Sequence, residues 1–317
     1  MMSPEIVFLD RETLPATVRR PEAPHRWVEY AQSGVEEARE RLRTATVAIS
    51  NKVPLTAELI YGAPELKCIA VAATGYNIVD LAACRDRGIV VSNIRDYATA
   101  GVPEHALMLM LALKRQLLSY RRDLAGGAWQ RAPGFCHFGA PLHDLAGGTL
   151  TIVGSGALGQ ALGKLARALG MHVIFAEKKE ATSLRPGYVP FDQAITQADV
   201  ISLHCPLNER TRNMIAAREL GLMKPDAVLI NTARGGLIDE AALLDALKAG
   251  RIGGAGLDVL IEEPPRNDNP LLDVDLPNLI ITPHIAWAGA ETMQRLADQL
   301  IDNVDAFLRG EPRNVVS

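Results

Sequence analysis

Leu150–Glu177 reads LTIVGSGALGQALGKLARALGMHVIFAE, and this stretch decides the fold. An apolar strand pattern, LTIVG, runs into glycines at 154, 156 and 159, then a helix-compatible segment from Ala157 to Leu169, then a second strand pattern, HVIFAE. Glycines at that spacing meet three needs: a tight turn, close approach of a pyrophosphate to backbone, and close packing of helix on strand, with the helix N-terminus facing the phosphates. Glu177 ends the second strand, 21 residues after Gly156, where a carboxylate accepts ribose hydroxyls. The order predicts a dinucleotide site around Gly154, Gly156, Ala157, Leu158, Gly159 and Glu177; a glycine-rich structural turn is the plain alternative. Glu177 favours NAD over NADP by repelling a 2′-phosphate, although Lys178 and Lys179 would accept a phosphate if the turn bent that way.

Outward from this unit the strand patterns continue with DVISLHC (199–205), AVLINTA (227–233), GAGLDV (254–259) and NLIITPH (278–284), making six candidates for one doubly wound sheet. Upstream, IVFLD (6–10), TVAIS (46–50), LKCIAVAA (66–73) and IVVSN (89–93), with helix-compatible IVDLAACRDRG (78–88), predict a separate α/β unit. Ala290–Leu308 reads as a helix returning to that first unit. The fold class expected is α/β, two Rossmann-like doubly wound parallel-sheet domains, with the nucleotide-binding domain (99–286) inserted in the other (1–98 and 287–317). One long helix is predicted from Val102 to Leu124, with Pro103 in its first turn and Gly126 and Gly127 at its end. Ala106–Leu113 is apolar all round, so this helix should be buried on every side, between domains or between subunits.

Composition narrows the function classes. The 317 residues have room for two domains, and 48% hydrophobic with 22% charged residues excludes disorder and fibrous repeats. A net charge of −4 without a basic block argues against nucleic acid. The longest apolar run, Ala106–Leu113, is too short to span a membrane. Cys68, Cys84, Cys136 and Cys205 have neither CxxC nor zinc-type spacing, so no metal is expected and a reducing, cytoplasmic compartment fits. The acidic start MMSPEIVFLD reads as a first strand rather than an export signal.

Chemistry-bearing residues fall at strand carboxyl ends, where open α/β sheets bind ligands. Arg234, in NTARGG, can hold a carboxylate in bidentate fashion, and small neighbours Thr232, Ala233 and Gly235 let a cofactor lie against backbone. LDVLIEEPP carries Asp258 at a strand end and the pair Glu262 and Glu263, whose plain reading is solvated loop charge. Of the seven histidines, His204 and His284 lie at strand ends and are the candidates for acid-base work. Arginine, carboxylate and histidine beside a dinucleotide can clamp a 2-oxo acid and move its proton.

GSGALG, CPLNERT (205–211), NTARGG, LDVLIEEPP and TPHIAW, in this order, with ATGYNIVDLAACRDRGIVVSN (73–93), resemble the NAD-dependent D-2-hydroxyacid dehydrogenases over essentially the whole chain. FCHFGAPLHDLAGGTL (135–150) adds a local likeness to the glycerate dehydrogenases, also called hydroxypyruvate reductases. The resemblance implies that Arg234 binds the substrate carboxylate and carbonyl, that Glu263 pairs with His284 to hold and tune it, and that His284 is the acid-base. It implies backbone amides of Thr74, Gly75, Tyr76 and Asn77 toward the carboxylate, with Trp287 bordering the substrate pocket. Cys205, Pro206, Thr211, Thr232 and Ala233 would line the cofactor site, along with Arg234 and His284, and Asp258 would bond the nicotinamide amide. It further implies a flavodoxin-like substrate domain at both chain ends and a homodimer formed through the nucleotide domain. The expected activity is NADH-dependent reduction of hydroxypyruvate or glyoxylate to the D-2-hydroxy acid. D-lactate-type or phosphite oxidation, or an NADH-sensing interaction protein without turnover, are the alternatives.

Overall fold

The computed structural model describes residues 3–266 and 269–316. The chain forms two compact units, one of the residues up to Tyr97 with those from Ala288 onward, the other of Ala98–Trp287.

The first unit carries five parallel strands, β1 (Glu5–Phe8), β2 (Arg26–Glu29), β3 (Val47–Ser50), β4 (Cys68–Val71) and β5 (Val90–Ser92), in the order β2-β1-β3-β4-β5. That order is the flavodoxin-like winding. β3 and β4 are buried at every residue, so their sequences are continuous apolar runs, as helices on both faces of a parallel sheet require. β2 is an edge strand whose only apolar residues are Trp27 and Val28, and nothing in its pattern marked it as a strand. The helix Ala290–Leu308 packs on β4 through a buried stripe of Leu296, Leu300, Ile301 and Val304. Its buried Asn303 donates from Nδ2 to the Asn93 carbonyl at 2.9 Å.

The second unit carries seven parallel strands: β6 (Thr149–Val153), β7 (His172–Ala176), β8 (Tyr188–Val189), β9 (Val200–Leu203), β10 (Val228–Asn231), β11 (Gly254–Leu257) and β12 (Leu279–Ile281). Their order is β12-β11-β10-β9-β6-β7-β8, a doubly wound Rossmann sheet with its switch point between β6 and β9. The two-residue β8 is the strand that the six sequence candidates omitted; two residues are too few for any periodicity to register.

The single long helix does not form. Gly101–Lys114 and Leu117–Ala125 are separate helices, because Gln116 adopts a left-handed conformation with φ +52°. Lys114, the last residue before the break, is buried and donates from Nζ to the Asp226 carbonyl at 3.0 Å. The first helix buries Ala106, Leu109, Met110 and Leu113 against β10, β11 and the helix Ala157–Ala168. Its opposite face is open in the single chain, where Met108 and Leu111 are 45% and 40% exposed. A left-handed Gln116 makes a prediction that a continuous helix reverses. Gln116→Val should lower the unfolding free energy by about 1–2 kcal/mol in denaturant titration, and Gln116→Gly should not; in a continuous helix glycine would be the costlier of the two.

Candidate active site

The loop between β6 and the helix Ala157–Ala168 uses each glycine differently. Gly154 has φ +107°, and a Cβ there would meet the His204 carbonyl carbon at 2.6 Å, so it makes the tight turn against the chain leaving β9. A Cβ on Gly159 would lie 2.1 Å from the Gly154 carbonyl oxygen and 3.1 Å from Ile152 Cγ2, so it lets helix and strand close together. Gly156 faces open space, and as N-cap it offers no side chain to the helix amides, leaving them to an anion. The cradle therefore fits a dinucleotide pyrophosphate. A cavity of about 360 Å³ beside it brings together Gly154, Glu177, Cys205, Pro206 and Thr211.

Glu177 does not stand free in this cavity. It is 4% exposed and paired with Arg185, whose Nε lies 2.7 Å and 3.0 Å from its two oxygens and whose Nη2 lies 2.8 Å from Oε1. The backbone amides of Lys178 and Arg185 donate to the same carboxylate. Arg185 and the Lys178 amide together hold its pKa at about 2. The two lysines that follow also part ways. Lys179 is spent on the buried Glu219, at 2.9 Å, and on the Met214 carbonyl, so the expected phosphate role falls from it; Lys178 is exposed, borders the cavity and forms no ion pair among the described residues.

At the end of β9 the two histidine candidates separate. His204 packs into the sheet with Nε2 2.9 Å from the buried Ser202 hydroxyl, and burial pushes its pKa down to about 4, keeping it neutral. It is a structural residue. Burial likewise pushes the Cys205 thiol up to about 11, so it contributes shape rather than a thiolate. Thr211 folds its own loop, donating to the Pro206 carbonyl at 2.8 Å and accepting from the Asn208 amide.

The ends of β10, β11 and β12 assemble the second cluster. The buried Asn231 pins the NTARGG turn by donating from Nδ2 to the Arg234 carbonyl at 2.8 Å and accepting from the Ala233 amide at 3.0 Å. A Cβ on Gly235 would sit 1.9 Å from the Leu260 carbonyl carbon, so the turn bearing Arg234 lies directly on the main chain leading to Glu263. Glu263 reaches His284, its Oε2 2.7 Å from Nδ1, while its Oε1 accepts from the Leu260 amide at 3.0 Å. Burial pushes the Glu263 pKa up, but hydrogen bonds from His284 and Leu260, with the charges of His284 and Arg234, outweigh it and hold the carboxyl below its ordinary value.

His284 itself is left-handed, φ +56°. Asp258 keeps it there: its carbonyl accepts from the His284 amide at 2.8 Å, and its carboxylate accepts from the amides of Ile285 and Ala286 at 2.9 Å and 2.8 Å. Thr282 donates its hydroxyl to the same carboxylate at 2.6 Å. With that proton committed, His105 Nε2, 2.9 Å away, donates to the Thr282 oxygen. The Asp258 carboxylate is buried and accepts these three bonds from the loop it organises. Trp287 closes the turn, Nε1 donating to the His284 carbonyl at 3.0 Å. Thr232 Oγ1 is buried without a hydrogen-bond partner among the described residues, a donor left for a ligand. Thr74–Asn77 follow β4 in the first unit, where Asn93 Nδ2 donates to the Thr74 carbonyl at 2.8 Å. Among the described residues, no three His, Cys, Asp or Glu side chains are placed to share a metal ion, and no helix is long and apolar enough to cross a membrane.

Residues 107–286 match the family profile described as D-isomer specific 2-hydroxyacid dehydrogenase, NAD binding domain. The chain belongs to that family. A glycerate dehydrogenase of Methylorubrum extorquens is 52% identical over 316 residues, 99% of each chain. A hydroxypyruvate reductase of Blautia hydrogenotrophica is 39% identical over 286 residues, covering 89% of this chain and 88% of that one. Among solved structures, an NADPH-dependent glyoxylate/hydroxypyruvate reductase from Sinorhizobium meliloti superposes with TM-score 0.82 at 29% identity, covering 99% and 98% of the two chains. As a 2-hydroxyacid dehydrogenase the protein is an oxidoreductase acting on CH–OH.

Sequence reasoning missed Arg185, Asn231, Thr282 and His105. The first three lie in positions that only the turn geometry reveals; His105 lies within the helix Gly101–Lys114 and carries no strand-end signal. The dehydrogenase's buried network generates a stability test. Thr282→Val removes a donor from the Asp258 carboxylate and should cost about 1–3 kcal/mol of unfolding free energy, while Thr282→Ser stays near wild type.

Proposed function

We propose that the enzyme reduces hydroxypyruvate or glyoxylate to the D-2-hydroxy acid, with NADH preferred. The observation that carries this reading is the 2.7 Å contact between Glu263 and His284 Nδ1: it commits one ring nitrogen to a carboxylate and leaves Nε2 to face substrate. When bound, the dinucleotide supplies hydride to C2. Arg234 supplies a planar pair of N–H donors to the substrate carboxylate and carbonyl. His284 donates from Nε2 to the carbonyl oxygen and delivers its proton there as C2 is reduced, and Glu263 stabilises the imidazolium form. Trp287, three residues after His284, limits side-chain size. Ala157 and Leu158, on the first turn beyond Gly156, contribute amides to the pyrophosphate, and Thr232 and Ala233 line the nicotinamide end. Relatives that are glycerate dehydrogenase and hydroxypyruvate reductase by name support the substrate class.

The test is dinucleotide oxidation with hydroxypyruvate, glyoxylate, pyruvate, 2-oxobutyrate and phenylpyruvate. Hydroxypyruvate or glyoxylate should lead, with NADH ahead of NADPH; a lead by phenylpyruvate would overturn the substrate assignment. His284→Ala should lower kcat by about 10²–10⁴-fold with NADH binding retained. Arg234→Lys should raise KM and lower kcat, because a point charge replaces a planar fork.

The same reading takes the protein as a cytoplasmic homodimer joined through the NAD-binding unit. In support, that unit exposes Met108, Leu111, Leu117, Leu124 and Trp129, with Phe135 and Phe138 at 90% and 89% exposure. Sedimentation should give a dimer for the wild type and a monomer for Phe135→Glu/Phe138→Glu; a monomeric wild type would remove the assignment.

A further inference from the structure

The Glu177 carboxylate can accept a ribose diol only through the oxygens that Arg185 occupies. Arg185 is held from three sides. Its Nε and Nη2 are on Glu177, its backbone amide donates to the same carboxylate, and its guanidinium lies 3.7 Å over the Tyr188 ring. The Tyr188 hydroxyl in turn reaches Ser155 Oγ in the glycine loop. Even so, the Arg185 side chain is 46% exposed and borders the cavity, with Nη1 uncommitted to Glu177. The closed pair is neutral, and Lys178 beside it adds a positive charge that nothing described cancels.

We propose that Arg185 limits the preference for NADH: paired with Glu177 it forms, with Lys178, a seat that admits the 2′-phosphate of NADPH, and released from Glu177 it leaves that carboxylate to the ribose hydroxyls of NADH. Two opposing demands meet at one side chain. A bare carboxylate in the cavity would repel a phosphate dianion, and the ion pair removes that repulsion while offering charge-assisted donors. NADH, in contrast, has to compete with Arg185 for the same oxygens. Because the pairing holds Glu177 at about 2, neutral-pH assays do not open it by protonation. The inference rests on the reading of this cavity as the adenosine end of the dinucleotide site.

The experiment is Arg185→Ala in the full chain, a substitution at a half-exposed side chain. Calorimetric titration with adenosine 2′,5′-bisphosphate and with 5′-AMP separates the phosphate from the ribose contribution without turnover. Binding of the bisphosphate should weaken by about tenfold or more, while 5′-AMP binding tightens. In turnover with hydroxypyruvate, KM for NADPH should rise by a similar factor and KM for NADH should fall. Opposite movements of the two cofactors are what a merely structural role would not produce. Equal losses for both probes, or no change in either, overturn the role of Arg185 while leaving the cavity reading intact. A wild type that binds neither probe overturns the cavity reading and, with it, the proposal.

Discussion

The backbone at His284 runs left-handed, a conformation uncommon for any residue but glycine and held here by its surroundings. Those surroundings come down to one buried carboxylate. Asp258, at the end of β11, takes the amides of residues 285 and 286 on its side chain and that of residue 284 on its carbonyl. A charged group with so little exposure is tolerable only because its oxygens are supplied with donors, and Thr282 completes the set. The imidazole is therefore aimed by the main chain beneath it. Glu263 then has only to meet a ring whose place is already fixed.

Placement at the carboxyl edge of a parallel sheet explains why so few residues suffice. β6 and β9 run paired to their ends, and the glycine loop leaves β6 at this switch point; β10, β11 and β12 end side by side, so turns far apart in sequence deliver an arginine, a glutamate and a histidine to one neighbourhood. Hydrogen bonds from Asn231 and Leu260 orient the turns before any ligand arrives. Preorganisation of this kind is what lets polar groups act on developing charge without first rearranging.

Much of this was legible beforehand because it is written in short-range chemistry. Continuous apolar runs marked β3, β4, β9 and β10, and the glycine spacing marked the turn after β6. Glu263 and His284 could be paired from their motifs through the family resemblance. What stayed hidden is long-range or lacks a residue signature. β2 and β8 are edge strands, one with only two apolar residues and the other only two residues long. Gln116 breaks a helix with no glycine or proline to announce it. Glu177 was read correctly as a strand-end carboxylate, but its engagement with Arg185, eight residues on, depends on how the intervening turn folds back. The bonds that Asp258 accepts from the amides of residues 285 and 286 stayed hidden too, since spacing alone does not say which way a carboxylate faces.

Gly235 has a consequence for how such a site can change. Where its hydrogen stands, the Leu260 carbonyl passes too closely for any other side chain. The separation between the turn that carries Arg234 and the strand exit that leads to Glu263 is thus set by main chain meeting main chain, with no intervening side chain whose size could be traded for another. Substitutions around the pocket can alter what is admitted, yet they have no handle on this spacing. The chemistry and the selectivity of the enzyme are in that sense separable: one is ruled by backbone, the other by the side chains that surround it.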